Sequence, residues 1–488
     1  MGMPTAFVRW AAACVLLSSA IDCAHPPAAN APPVVAPPPT ASPVAVEPPL
    51  PALDDREVLR RLDLKFGTTG DVTIGDGLSL SARQDVYRAF IRDRVTQRGF
   101  YESVMGDLKL KHGRGDPVSM LPPLWLTLKT SEAKQPFFYL DQPCATKDLV
   151  SVAPWWDLGS TVKVCKDSYK PEIESFSAGN GGTVYCDATY YKPLRAWVES
   201  PCKCGANLIN CAPNMDVQKT LVQAFADEQT LTVQYVVQNH LPFGKILTLA
   251  DSVRSDWADF FYARSQFIAT KQWNYPKPTG ETKLRSRPEP LTAGILSTWP
   301  WMVKTDSYRL IVREMWEQYL CQPLASRQVT PAEILTALGG PQNVSKGKFS
   351  DSVRMELTKA PGCQTCHKIL ENASRAMQGY TLMQNGGHYI PENAYHGDIQ
   401  FFVGDVSSPR AEGPGTMQWL GETIAAQPEF NACMVKKVLG YVYDGFAYKP
   451  ELAKLLEKKF TNGQDFAALV EDAVVARYLG TWPDSKTP

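Results

Sequence analysis

Pro361-Gly362-Cys363-Gln364-Thr365-Cys366-His367 is the stretch on which the reading of this chain turns. Two cysteines three positions apart, followed at once by histidine, form the CxxCH run that attaches c-type haem. The two thiols can make thioethers with both haem vinyl groups, and the adjacent imidazole then lies beneath the iron as its proximal ligand. With 12 Cys and 6 His among 488 residues, such a run is expected by chance roughly 0.004 times. A thioredoxin-like dithiol would want a strand ahead of it, whereas 350–360 reads as a helix stopped by Pro361-Gly362. A structural zinc site would need further ligands, and the chain has no second CxxC and no HxxxH. A zinc site and a plain redox dithiol are the competing readings of the motif.

The expected cofactor is therefore one covalent haem c, held by Cys363 and Cys366 with His367 as proximal iron ligand. Met417, 50 residues beyond His367, is the expected distal ligand, because a class I cytochrome places its methionine just ahead of its C-terminal helices. Met377, Met383, His388, His396 and an open coordination position are the alternatives. Helical periodicity follows at 417–426, 428–446, 450–459 and 464–479, the last with Phe466, Leu469, Val470, Ala473 and Val474 on one face. Together with a short helix at 331–338, these make 331–488 a cytochrome c-like helical domain.

Working toward the N-terminus, 216–330 reads as a second helical domain. Asp216 would cap a helix carrying Leu221 and Phe225, 252–271 carries Trp257, Phe260, Phe261 and Phe267, and 307–321 carries Leu310, Ile311, Met315, Trp316 and Tyr319. Residues 131–215 hold six cysteines, several prolines and short β-prone pieces, the pattern of a disulfide-rich irregular subdomain. An N-terminal helical region occupies 53–130, with Ser81 expected to cap a helix bearing Val86, Phe90 and Val95. The fold class expected is mainly α: a multi-helical body, a disulfide-rich irregular insertion and a C-terminal cytochrome c-like domain.

The first 52 residues set the compartment. Arg9 precedes an apolar run from 10 to 20, the pattern of an export signal over 1–23. Cys23 stands where a bacterial lipoprotein carries its acylated cysteine, although Asp22 and Ala20 depart from the usual flanks, so lipid anchoring and plain cleavage both stand. Residues 24–52 form a Pro-rich linker: eleven of the 26 residues from Pro26 to Pro51 are proline, which favours an extended spacer between a surface and a body. The expected location is the periplasm or cell envelope, with attachment to the outer membrane if Cys23 is acylated. Beyond residue 25 the longest apolar stretch falls well short of the roughly 18–20 residues that span a bilayer. Lys and Arg number 50 against 50 Asp and Glu with no long basic run, which argues against nucleic acid as a partner.

Export makes disulfides the default for the eight cysteines outside the signal and the haem motif. Six of them cluster between 144 and 211, and their connectivity stays open. The other two are Cys321 and Cys433, and pairing within each group is the simplest solution that leaves no odd thiol. A Cys321–Cys433 bridge is therefore expected, with two buried free thiols as the alternative.

CKCGANLINC at 202–211, PFGKILTLADSV at 242–253, GILSTWPW through REMWEQYLC at 294–321, and PGCQTCH at 361–367 carry a further likeness, as does LGETIAAQPEFNACMVKKVLGYVYDG at 420–445. In these stretches the chain resembles the large exported proteins of planctomycetes and myxobacteria built from the domains of unknown function numbered 1592, 1588 and 1585. The resemblance implies a haem-c-bearing protein of the cell envelope. The chain departs from that pattern just after the motif, where Asp-Pro-x-Gly is replaced by Leu370-Glu371-Asn372-Ala373. The expected function is that of a monohaem c-type cytochrome acting in electron transfer with a redox partner protein. A haem-dependent peroxidase- or oxygenase-like enzyme is the alternative, as is a surface binding protein with an ancillary haem; an electron carrier is favoured over an enzyme because a six-coordinate haem cycles between ferric and ferrous states without substrate chemistry.

Overall fold

The computed structural model describes residues 54–71, 73–108, 110, 126–131, 137–172, 175–177, 183–185, 203–259, 278–287, 292–298, 301, 308–324, 359, 364–379, 394–404 and 408–480. The signal with Cys23, the linker, the helix expected at 331–338, all but Lys359 of that expected at 350–360, and Cys186, Cys202 and Cys363 fall outside the described residues.

Short polar side chains start the helices. Asp54, Ser79, Asn214, Thr416 and Asp465 each accept a backbone N–H from the first turn that follows. They open α1 (Asp55–Phe66), α2 (Leu80–Arg94), α4 (Met215–Gln238), α7 (Met417–Ala425) and α10 (Phe466–Leu479). Pro428 and Pro450 occupy the first position of α8 (Pro428–Val442) and α9 (Pro450–Thr461), where a missing N–H does no harm. The remaining long helices are α3 (Arg98–Asp107), α5 (Tyr308–Tyr319) and α6 (Gln364–Ser374). The chain is mainly α. The caps expected at Ser81 and Asp216 both move two residues earlier, to Ser79 and Asn214.

The helix expected from 252 is a correction. Asp251–Ser255 is a strand, β5, paired antiparallel with β6 (Thr282–Ser286), and helix begins only at 256. Alternate residues Ser252 and Arg254 point inward, as a strand's period of two requires. What they meet is polar: Ser252 and Arg287 both donate to Glu228 Oε1, at 2.7 and 2.8 Å, and Arg287 also donates to the Gly294 carbonyl and Ser297 Oγ.

In the cysteine-rich region, β1 (Lys129–Thr130), β2 (Phe138–Tyr139), β3 (Leu149–Val152) and β4 (Val162–Cys165) form a sheet of order β1-β2-β4-β3, parallel only between β2 and β4. The region holds two disulfides, Cys144–Cys165, which ties the loop between β2 and β3 to the end of β4, and Cys204–Cys211, which closes a short loop outside the sheet. It has a small apolar cluster of its own around Leu128, Val152, Val164 and Leu208.

A single larger core draws residues from α1 to α3, the C-terminal half of α4, and α5 to α10. The segments 53–130, 216–330 and 331–488 thus meet in one apolar interior. At its centre the tight turn Phe243–Leu247 lies against backbone on two sides. A Cβ on Gly294 would run into the Ile246 carbonyl oxygen, and one on Gly421 of α7 into that of Leu247. The Phe243 ring stacks on Phe466 at 4.3 Å between centroids, with Phe430 and Phe460 about it. The Phe243 N–H donates to the Gln464 carbonyl at 3.0 Å and the Gly244 N–H to Gln464 Oε1 at 2.9 Å. Overpacking such a contact costs about 1–3 kcal/mol, so Gly421→Ala should lower the unfolding free energy by that amount, read as a lower denaturant midpoint at unchanged slope; a midpoint equal to the parent's shows that the helix can slide away.

Cys321, just past α5, and Cys433 on α8 are joined, with sulfurs 2.07 Å apart and a sequence separation of 112. A loop of this length restricts the unfolded chain by about 5 kcal/mol in the chain-entropy model. Cys321→Ser with Cys433→Ser should therefore unfold several kcal/mol more easily. Non-reducing peptide mapping of the parent should recover the two cysteines in one linked pair, and finding both as thiols refutes the bridge.

Candidate functional site

Helix α6 begins at Gln364, directly after the motif's first cysteine. Its inner stripe follows the helical period: Cys366, Ile369, Leu370 and Ala373 lie against the main core, the last three buried and Cys366 half-buried. Behind them stand α5 and β7 (Ile399–Phe401), which pairs with β8 (Ala411–Gly413). Trp316 of α5 packs on Phe401 with ring centroids 4.9 Å apart, closing that layer.

His367 is one residue round the helix from Cys366, so its ring leaves the apolar stripe. Its side chain is 19% exposed and that of Glu371, one turn on, is 8% exposed. Imidazole Nδ1 lies 3.2 Å from Glu371 Oε1. The same oxygen accepts from Nε of Arg309, which reaches across from α5. Burial pushes the Glu371 carboxyl up, but the His367 hydrogen bond and the Arg309 charge outweigh it and hold the group below its ordinary value. An ionised carboxylate can only accept, so the proton of this contact belongs to Nδ1.

This donor set fits a c-type haem. A metal-bound histidine commonly commits its second ring nitrogen to a carboxylate or carbonyl, which fixes tautomer and ring direction. The porphyrin supplies four nitrogens, and the protein is asked for only one or two axial donors and the thioether sulfurs. Cys366 and His367 stand adjacent on one helix turn; Cys363 lies outside the described residues. Among the described residues no group of three or more His, Cys, Asp or Glu is placed to hold a bare metal ion.

Met417 opens α7 and is 1% exposed within the main core. Its helix packs chiefly on the turns Phe243–Leu247 and Gly294–Ser297, and it touches the turn Arg375–Met377 that closes α6. Of the alternatives, Met377 is fully buried in that turn, His396 is exposed, and Met383 and His388 lie outside the described residues. The structure therefore brings Cys366 and His367 together directly, and Met417 to the far end of their helix.

Sequence reading missed Arg309 and Glu371. A His and a Glu four apart on a helix share a face, and that spacing was the available signal for Glu371; Arg309 is 62 positions away and no local pattern reveals it.

A cleft of about 830 Å³ lies elsewhere, lined by Lys65, Lys436, Lys437, Asp107, Glu317 and Asp444. Lys65 is engaged by Asp444 and Lys437 by the Leu108 carbonyl. Among the described residues no helix is long and apolar enough to cross a membrane. No family model, curated protein or solved structure matches this chain.

Met417 has two separable consequences. Truncation to alanine removes a buried side chain and should cost about 2–5 kcal/mol. If its sulfur also ligates iron, the ferric protein shows a sulfur-to-iron charge-transfer band that Met417→Ala abolishes; a haem protein whose ferric spectrum is the same in both forms excludes Met417 as the ligand.

Proposed function

We propose that this chain is a monohaem c-type cytochrome that moves single electrons at the cell envelope. The observation that carries the reading is the motif's histidine, whose Nδ1 is committed to Glu371, so that Nε2 is the nitrogen that would face the iron. Cys363 and Cys366 would hold the group through thioethers and His367 would be its proximal ligand; Met417 is the distal ligand expected from the sequence, and because its helix meets the far end of α6, it could serve only if these elements moved together around the haem. When bound, the haem supplies reversible ferric–ferrous cycling. The protein's part is to hold the imidazole in one orientation, on a helix whose inner stripe is packed against the apolar layer of α5 and β7.

The apolar run after Arg9, the cysteine at 23 and the proline-rich spacer support an exported, envelope-held protein, since thioether attachment takes place outside the cytoplasm. Acylation of Cys23 would attach it to the outer membrane through the spacer, leaving residues 331–488 to serve as the cytochrome c-like part. The likeness to exported planctomycete and myxobacterial proteins belongs to the same reading. One observation favours a second one, a haem-dependent peroxidase- or oxygenase-like enzyme. A carboxylate on the proximal imidazole makes it a stronger electron donor, and electron donation toward the iron assists O–O cleavage. Carbon monoxide discriminates, because a reduced haem with two protein ligands refuses it and an open one binds it.

The deciding experiment is a pyridine haemochrome spectrum of the full chain matured in an exporting host, expected to show one haem c per chain. Cys363→Ala with Cys366→Ala should abolish the haem stain that survives denaturing electrophoresis. A double variant that keeps the stain overturns the proposal.

A further inference from the structure

We infer that Glu371, held in place by Arg309, is a positioning residue that turns the His367 ring and sets the electron affinity of the iron it would hold. The inference rests on the haem reading above.

Three features of the geometry carry it. Glu371 stands four residues after His367 on the same helix, so backbone geometry alone delivers its carboxylate to Nδ1, at 3.2 Å. The Arg309 guanidinium reaches the same oxygen from α5, so the carboxylate is fixed from a second element and cannot follow the imidazole if the ring rotates. All this happens in a poorly hydrated place: the Glu371 side chain is 8% exposed and that of Arg309 is 21% exposed. A tie between two helices does not require charge, since apolar residues of similar volume hold helices together equally well or better. What an apolar pair cannot do is accept a proton from imidazole.

The chemical consequence has a definite sign. A charged acceptor draws the Nδ1 proton more strongly than a neutral one and leaves more electron density on Nε2. Density at the proximal nitrogen favours the ferric over the ferrous state, so Glu371 lowers the potential relative to a neutral acceptor. Arg309 moderates the effect by sharing the oxygen while keeping the carboxylate still. The position falls in Leu370-Glu371-Asn372-Ala373, where the chain departs from the pattern of the proteins it resembles.

The experiment measures the midpoint potential of the full haem-bearing chain beside its Glu371→Gln variant. Glutamine keeps the shape and removes the charge. We expect the ferrous-to-ferric ratio at fixed ambient potential to rise about tenfold, equivalent to about 59 mV for one electron. Glu371→Asp supplies the second test should the glutamine variant fail to accumulate. It keeps a negative charge beside Arg309 but draws the carboxylate back from Nδ1, and the potential should again move upward. In Arg309→Lys, which retains the positive charge, it should stay close to the parent's. An unchanged potential in a haem-bearing Glu371 variant overturns the inference and leaves Glu371 as a helix tie. Absence of covalent haem from the parent chain refutes the proposed function itself, before any variant is read.

Discussion

Backbone lying on backbone at the Phe243–Leu247 turn is the constraint around which the helical body is assembled. Two carbonyl oxygens of that turn are met by glycines, Gly294 from the segment ahead of α5 and Gly421 from α7. Side chains at either place would hold the two halves of the molecule apart. With them absent, the Phe243 ring reaches α8, α9 and α10 at once, through Phe430, Phe460 and Phe466. Polar atoms follow the same geometry: Gln464 receives both the Phe243 and Gly244 N–H groups and passes its own amide to Asn431. Gly294 has φ of +51°, a conformation that only glycine adopts without cost, so close approach and backbone shape are met by one residue.

Electrostatics complete what packing begins. Glu228 and Arg287 are both fully buried, and removing one partner of such a pair costs about 3–5 kcal/mol because the other charge is stranded. Their hydrogen bonds to Ser252, Ser297 and the Gly294 carbonyl join α4, the paired strands β5 and β6 and the turn that presents Gly294. Arg88 and Arg92 of α2 reach Asp472 and Glu471 of α10, joining positions more than 370 residues apart. The N-terminal helix α2 is thus held by the last helix of the described chain.

How much of this could be read from the sequence depended on which physical signal each element carries. The C-terminal helices were legible from apolar residues at helical spacing, with proline marking the first position of α8 and α9, and α8 to α10 start within two residues of expectation. Strand β5 was not legible: its inward residues are Ser252 and Arg254, and hydrophobic pattern is silent where burial is polar. Caps at Ser79 and Asn214 were displaced because several residues near each start can cap equally well. In the candidate site, Cys366 and His367 are contiguous and announce themselves. Arg309 meets them only because α5 packs on α6, a fact of tertiary structure. The shared core of segments that composition divides has the same origin, since periodicity shows which face is apolar and not what will cover it.

The Cys321–Cys433 bond makes residues 321 to 433 a closed covalent ring, and the whole CxxCH motif lies inside it. Such a ring has no free end. A single cut in its peptide backbone leaves one molecule, with the motif still tethered through whichever arm remains to the junction of α5 and α8. Two cuts are needed to release a fragment. The motif is therefore secured to the body by topology as well as by packing, and a single break in the connecting stretches does not by itself separate it.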